Sequence, residues 1–179
     1  MYDNLHEETT VQYASADEKF RLALAYKNGV DGKVEKDISK AIEWMRKAVA
    51  EDAKYSNELF DILWEINTPE SLEEMVLVVI QHVSKGDREA MGRLGRAYRH
   101  GKGVEQDYEK AAEWMRKAVE GGVLWANNEL FDILWELGTA ESYEEMISLG
   151  TAFANQGNVY AMGRLGRAYR HGKGVEQDY

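Results

Sequence analysis

The nineteen residues from Ala90 to Tyr108, AMGRLGRAYRHGKGVEQDY, return letter for letter at Ala161 to Tyr179. No other feature restricts the fold so strongly, because a long-period repeat commits a chain to a stack of like units. The same offset carries ELFDILWE from Glu58 to Glu129 and EEM from Glu73 to Glu144. EWMRKAV at Glu43 returns at Glu113, one position sooner than that offset. The turn NGVDGKVEKD, longer than its counterpart HGKGVEQD, accounts for the slip. Aligning Ala126–Glu136 under Ala90–His100 places Ala126 on Ala90 and Leu130 on Leu94. The period is thereby halved to about 36 residues, within the range of helix-turn-helix arrays. Each long block is therefore a pair of unlike units.

Each unit reads as two helices. Met91, Leu94, Gly95 and Tyr98 follow the i, i+3, i+4, i+7 spacing of one helical face, and Gly101 and Gly103 stop the run. Gly101 and Gly172 are expected just past helix ends in left-handed conformations. Ala111, Ala112, Met115, Ala118 and Val119 form a second stripe that ends at Gly121 and Gly122. The other type of unit pairs Asn127–Leu137 with Ser142–Asn155. There Ser71 with Glu74, and Ser142 with Glu145, have the S-x-x-E spacing of a capping box. No stretch alternates with period two for long enough to predict a strand.

These residues resemble the Sel-one-like repeat (SLR) family, which is tetratricopeptide-like. The likeness rests on Ala90, Leu94-Gly95, Tyr98, Gly101-Lys102-Gly103-Val104, Asp107, Ala111-Ala112, Trp114 and Ala118. It continues through Ala161–Tyr179, and through Tyr26, Gly29, Val34, Asp37, Ala41 and Trp44 of Leu22–Val49. The intervening units depart from it: Leu134 replaces the tyrosine, and Thr68-Pro69-Glu70 or Thr139-Ala140-Glu141 replaces the glycine-rich turn. The resemblance implies an all-α, right-handed superhelical solenoid of stacked antiparallel helix pairs, its first helices lining the concave side. It also implies a scaffold or adaptor that binds a protein or peptide there, as such proteins do in signalling, membrane-associated complexes and the bacterial cell envelope. The organisation expected is a leader or cap over residues 1–16 and a repeat array over 17–179, about four and a half units. The chain stops where the next EKAAEWMRKAV helix is due. That abrupt end motivates an alternative: the repeat portion of a longer enzyme acting on cell-envelope polysaccharide. It also predicts poor anchoring from about Lys173 to Tyr179, and possible end-to-end self-association.

Composition narrows the function. With no cysteine, disulfides, thiolate catalysis and cysteine-ligated zinc are all excluded. A formal net charge of -10 disfavours nucleic acid as a partner. The longest apolar stretch, Met75 to Ile80, is too short for membrane insertion. MYDNLHEETT has neither a basic nor an apolar region of a signal peptide, so a cytoplasmic location is expected. His6, His82, His100 and His171 have no metal-binding spacing, and no nucleophile or phosphate-loop motif occurs. Neither catalytic residues nor a cofactor or metal is therefore expected.

The candidate protein-binding residues are Arg93, Arg96, His100, Glu129, Asp132, Glu136 and Trp125. Arg93, Arg96 and His100 lie at i, i+3, i+7, opposite the apolar stripe of their helix. The aligned positions are Glu129, Asp132 and Glu136 in the next unit and Glu58, Asp61 and Glu65 in the preceding one. They become Arg164, Arg167 and His171 in the last, so charge alternates from unit to unit. The alternation has two compatible readings: ion pairs that fix the order of stacking, and a striped surface for a partner with its own charge pattern. Trp44, Trp64, Trp114 and Trp135 recur at equivalent positions, which predicts burial between helices; Trp44 and Trp114 sit on the repeated A-x2-W core. Trp125 has Lys54 as its counterpart. It is either an exposed contact or a partly buried residue at a helix start.

Overall fold

The computed structural model describes residues 14–31 and 33–174. Among these, the chain forms nine α-helices and one short 3-10 turn, with no strand beyond an isolated Val30–Val34 bridge. The helices are α1 (Ala16–Asn28), α2 (Ile38–Glu51), α3 (Ser56–Ile66), α4 (Pro69–Val83) and α5 (Arg88–His100). They continue with α6 (Tyr108–Glu120), α7 (Leu124–Leu137), α8 (Ala140–Asn155) and α9 (Val159–Arg170). The chain divides within α4 into two compact units, Met1–Val78 and Val79–Tyr179. The expected leader falls mostly outside the described residues.

The caps explain where the helices begin. Asp37, Asp87, Asp107 and Asn158 each accept, through a side-chain oxygen, the backbone N–H three residues on. Ser15 and Glu18 form a capping box at α1. The boxes expected at Ser71 and Ser142 lie elsewhere. The first residue of each box is Thr68 or Thr139, and the serine is its reciprocal partner: Thr139 N donates to Ser142 Oγ at 3.1 Å and Ser142 N to Thr139 Oγ1 at 3.1 Å. Thr68 and Ser71 repeat the arrangement. The helices therefore start earlier, with Pro69 or Ala140 in the first position, where proline loses no hydrogen bond. Glu74 and Glu145 are thereby released for pairing between helices.

In the first unit α1 and α2 pack through small residues, Ala23, Ala25, Ala41 and Ala48, around Met45. Phe20 stacks on Tyr55, ring centroids 4.4 Å apart, and Leu59, Phe60 and Leu63 of α3 extend the core. In the second unit Met115, Leu130, Phe131, Ile133, Leu134 and Met146 fill the space between α6, α7 and α8. Complete burial of a side chain the size of Met115 stabilises by about 1.5–3 kcal/mol. Gly95 lets α5 and α6 approach closely: a Cβ there would lie 3.0 Å from the Ala111 carbonyl oxygen.

Gly101 (φ +63°) and Gly172 (φ +60°) have the left-handed conformation expected of them. Where the glycine turn is absent, Asn67 ends α3 in the same conformation (φ 57°) and Gly138 ends α7. Trp44 and Trp114 are neither fully inside nor exposed. Most of each indole is covered, and a lysine ammonium, Lys47 or Lys117, lies 4.0 Å over its ring. The buried position is the methionine beside each, because the A-x2-W spacing turns the indole toward the rim of the helix pair. Lys173 is also better held than expected. Its N–H donates to the Ala168 carbonyl at 3.0 Å, and its ammonium lies 4.8 Å over the Tyr143 ring. Residues 175–179 of that predicted tail lie outside the described residues.

Candidate interaction surface

The alternating charges meet along one side of the second unit, where α5, α7 and α9 are first helices. Arg96 Nε lies 3.8 Å from Glu129 Oε1, across from α5 to α7. The stronger cation is Arg99, which sequence reasoning passed over. Its guanidinium reaches Glu129 Oε2 at 2.5 Å and Asp132 Oδ2 at 3.2 Å. Asp132 faces the other way too, pairing with Arg164 of α9, and Tyr160 donates to the same carboxylate at 3.3 Å. Burial lowers the Arg99 pKa; the Glu129 hydrogen bond and the charges of Glu129 and Asp132 outweigh it, so the net shift is upward. His100 is pushed below its usual range, first by burial and then by the Arg99 charge.

Sequence reasoning missed Arg99 because it followed the positions aligned with Glu129, Asp132 and Glu136. Successive first helices are offset, so a residue on the earlier helix meets one about a turn before its aligned position on the later helix: Arg96 meets Glu129, Arg99 meets Asp132 and Asp132 meets Arg164. One signal was legible. Lys27, Arg99 and Arg170 occupy the same repeat position, and in the first unit Lys27 Nζ reaches Glu65 at 3.2 Å.

Trp135 forms the far end of this side. The Arg167 guanidinium lies 4.3 Å over its ring, and His171 and Tyr143 meet it edge-on at 5.8 and 6.2 Å. Glu136 beside it is exposed. Trp125 is half-buried, its Nε1 donating to Glu89 Oε2 at 2.8 Å and its ring resting where a Cβ on Gly92 would be. Of its two readings, partial burial at a helix start is the one observed. Exposed apolar surface at that corner belongs to Leu124, 81% accessible.

The second helices carry a separate pairing. Arg46 of α2 grips Glu74 of α4 through two hydrogen bonds at 2.7 and 2.5 Å, and Arg116 of α6 grips Glu145 of α8 at 2.7 and 2.7 Å. The same device thus recurs once in each unit. The carboxylate hydrogen bond is the main cause that raises each arginine pKa. Among the described residues no cluster of three metal-ligating side chains occurs, and no helix is long and apolar enough to cross a membrane.

The sequence model of the Sel1 repeat matches residues 19–52, 88–123 and 159–179, together just over half of the chain. The chain belongs to the Sel1 repeat family. Sel1 repeat proteins are generally protein-interaction scaffolds and typically are not enzymes. The fold is similar to that of a protective antigen of uropathogenic Escherichia coli strains displaying an SLR fold. The TM-score is 0.66 and the identity 23%, over 95% of this chain and 37% of the antigen. It is similar also to a Sel1 repeat protein from Oxalobacter formigenes, with a TM-score of 0.62 and 22% identity over 97% of this chain and 70% of that one. The chain therefore spans little more than a third of the antigen's length. Between the Sel1 matches, residues 53–87 and 124–158 hold the helix pairs α3–α4 and α7–α8. In these pairs a Thr68-Pro69 or Thr139-Ala140 turn stands in place of the glycine-rich one.

Proposed function

We propose that this Sel1 repeat chain holds a protein or peptide segment against the side formed by α5, α7 and α9. In the family's superhelix that is the concave side. The observation that carries this reading is the row Arg99, Glu129, Asp132 and Arg164, in which each charge is held by an opposite one on a neighbouring first helix. Such a row is a rigid template of alternating sign, preorganised at no cost to the partner. Glu136 and Arg167 stand exposed at its edge beside His100, whose ring is partly shielded, and supply further contacts, with Trp135 as an aromatic anchor among them. A partner segment with its own alternating charges fits this surface.

The test compares proteins retained by the wild-type chain with those retained by Glu136→Lys and Arg96→Glu, each checked for an unchanged circular dichroism spectrum. A retained protein lost with Glu136→Lys, while the melting temperature holds, supports the reading. Identical retention by all three folded chains overturns it.

A further inference from the structure

The apolar run Met75–Ile80 covers α4 on every side. Met75, Val76 and Val79 are buried, whereas Leu77 and Ile80, one turn apart on the opposite side, are 64% and 50% exposed. A helix that packs through one stripe gains nothing from a second apolar stripe in water. The chain carries its own comparison. In α8 the counterparts of Met75, Val76 and Val79 are Met146, Ile147 and Gly150, while those of Leu77 and Ile80 are Ser148 and Thr151, both exposed. The inward face is thus small or apolar in both copies, and of the two only α4 adds an outward apolar pair. Lys85 follows the same division: it stands exposed in the turn after α4, and its counterpart is Gln156. Glu70 and Glu73, exposed at the start of the outward face, are retained as Glu141 and Glu144. Each of the residues that set α4 apart belongs to that helix or to the turn directly after it.

From its N-terminus onward, the outward face of α4 therefore runs acidic, apolar, basic: Glu70 and Glu73, then Leu77 and Ile80, then Lys85. Glu73 precedes Leu77 by four residues and Lys85 follows Ile80 by five, so the two charges stand at nearly equal distances from the apolar centre. Such a face is complementary to itself turned end for end. We infer that two copies of the chain associate through it, α4 against α4, antiparallel about a two-fold axis between Leu77 and Ile80. Leu77 of each copy then covers Ile80 of the other, and each Lys85 meets the other copy's Glu73 at the rim of the contact. A parallel arrangement would set glutamate on glutamate and lysine on lysine. The glutamates beside the apolar pair disfavour an anionic lipid surface as the occupant. A foreign protein would have to carry the same order of charges reversed, whereas a second copy supplies it by symmetry. Four apolar side chains make a small contact, in the weak and transient class. The inference rests neither on the charged row nor on either end of the chain.

Sedimentation equilibrium of the whole chain over a concentration series tests this. The expected result is a reversible monomer–dimer equilibrium. Leu77→Ser with Ile80→Thr, the residues that α8 carries at those places, should abolish the dimer. The circular dichroism spectrum and the melting temperature of the dilute monomer should not change, because both side chains stand in solvent there. Lys85→Glu or Glu73→Lys alone should weaken the dimer by about tenfold or more, since each sets like charges together at both rims. The two combined should restore it, because the swap re-creates both pairs with their signs reversed. A chain that stays monomeric at every concentration overturns the inference. So does a dimer that survives Leu77→Ser with Ile80→Thr, which would place the contact elsewhere. A combined swap that leaves the dimer as weak as either single variant overturns the antiparallel pairing and the inference with it.

Discussion

Arg99 Nη1 lies 2.5 Å from Glu129 Oε2, tying α5 to α7. Both side chains are about four-fifths shielded from solvent. Their interaction should therefore fall between that of an exposed pair and that of a fully buried one. Arg99→Ala is expected to destabilise the second unit by about 2 kcal/mol, since it also strips Asp132 of one of its two arginines. A double-mutant cycle with Glu129→Gln, followed by urea unfolding, should give a coupling energy of about 1 kcal/mol or more. Zero coupling would mean that the pair contributes geometry but no stability.

The two identical helices offer a matched pair of substitutions. Gly92→Ala places a methyl group against the Trp125 ring and should destabilise by about 1–3 kcal/mol, the cost of overpacking. Gly163→Ala, at the same letter of the same sequence, enters open space and should stabilise by up to about 1 kcal/mol through helix propensity alone. Thermal melts of the two variants should shift in opposite directions; equal shifts would show that packing does not distinguish the sites.

Met115 is fully buried while its neighbour Trp114 is not. Met115→Ala should cost about 2–5 kcal/mol as a core truncation. Chemical denaturation checks this, and a loss under about 1 kcal/mol would place the core elsewhere. Trp114 fluorescence should in turn respond to added iodide in the native state, most clearly in a variant that keeps this tryptophan alone.

His100 sets a pH dependence. Its pKa is lowered in the folded chain from the ordinary value of 6.5, by burial first and the Arg99 charge second. Below pH 6.5 the unfolded chain therefore binds the proton more readily than the folded one, and stability falls with pH. The loss begins near pH 6.5 and is complete below the folded pKa. His100→Asn should flatten the stability profile in that window. An unchanged slope between about pH 7 and pH 5 would assign the dependence to other groups.

Periodicity alone made much of this legible. The long repeat and its half-period predicted helix pairs, and the glycines predicted left-handed turns that Gly101 and Gly172 adopt. Alternation of charge between first helices was also readable, and Arg96 does approach Glu129. Three things were not legible, each for a geometric reason. Arg99 was not legible because successive first helices are offset by about a turn, so aligned positions are not the ones that touch. The cap at Ser142 was not legible because Thr139-x2-Ser142 and Ser142-x2-Glu145 offer overlapping cap spacings, and only the backbone trace chooses between them. How deep Trp114 sits was not legible, because recurrence marks a packed position without saying whether it lies at the centre or the rim of the pair.

The place of Asp132 between Arg99 and Arg164 has a consequence for how such a chain can change length. Excising one half-period, residues 124–158, would set Arg96 and Arg99 against Arg164 and Arg167, four like charges on adjoining helices. Excising or duplicating a whole block, from Ala90 to Tyr160, preserves every opposition of sign. Growth by gene duplication is thus subject to a parity rule: the array tolerates even increments and penalises odd ones.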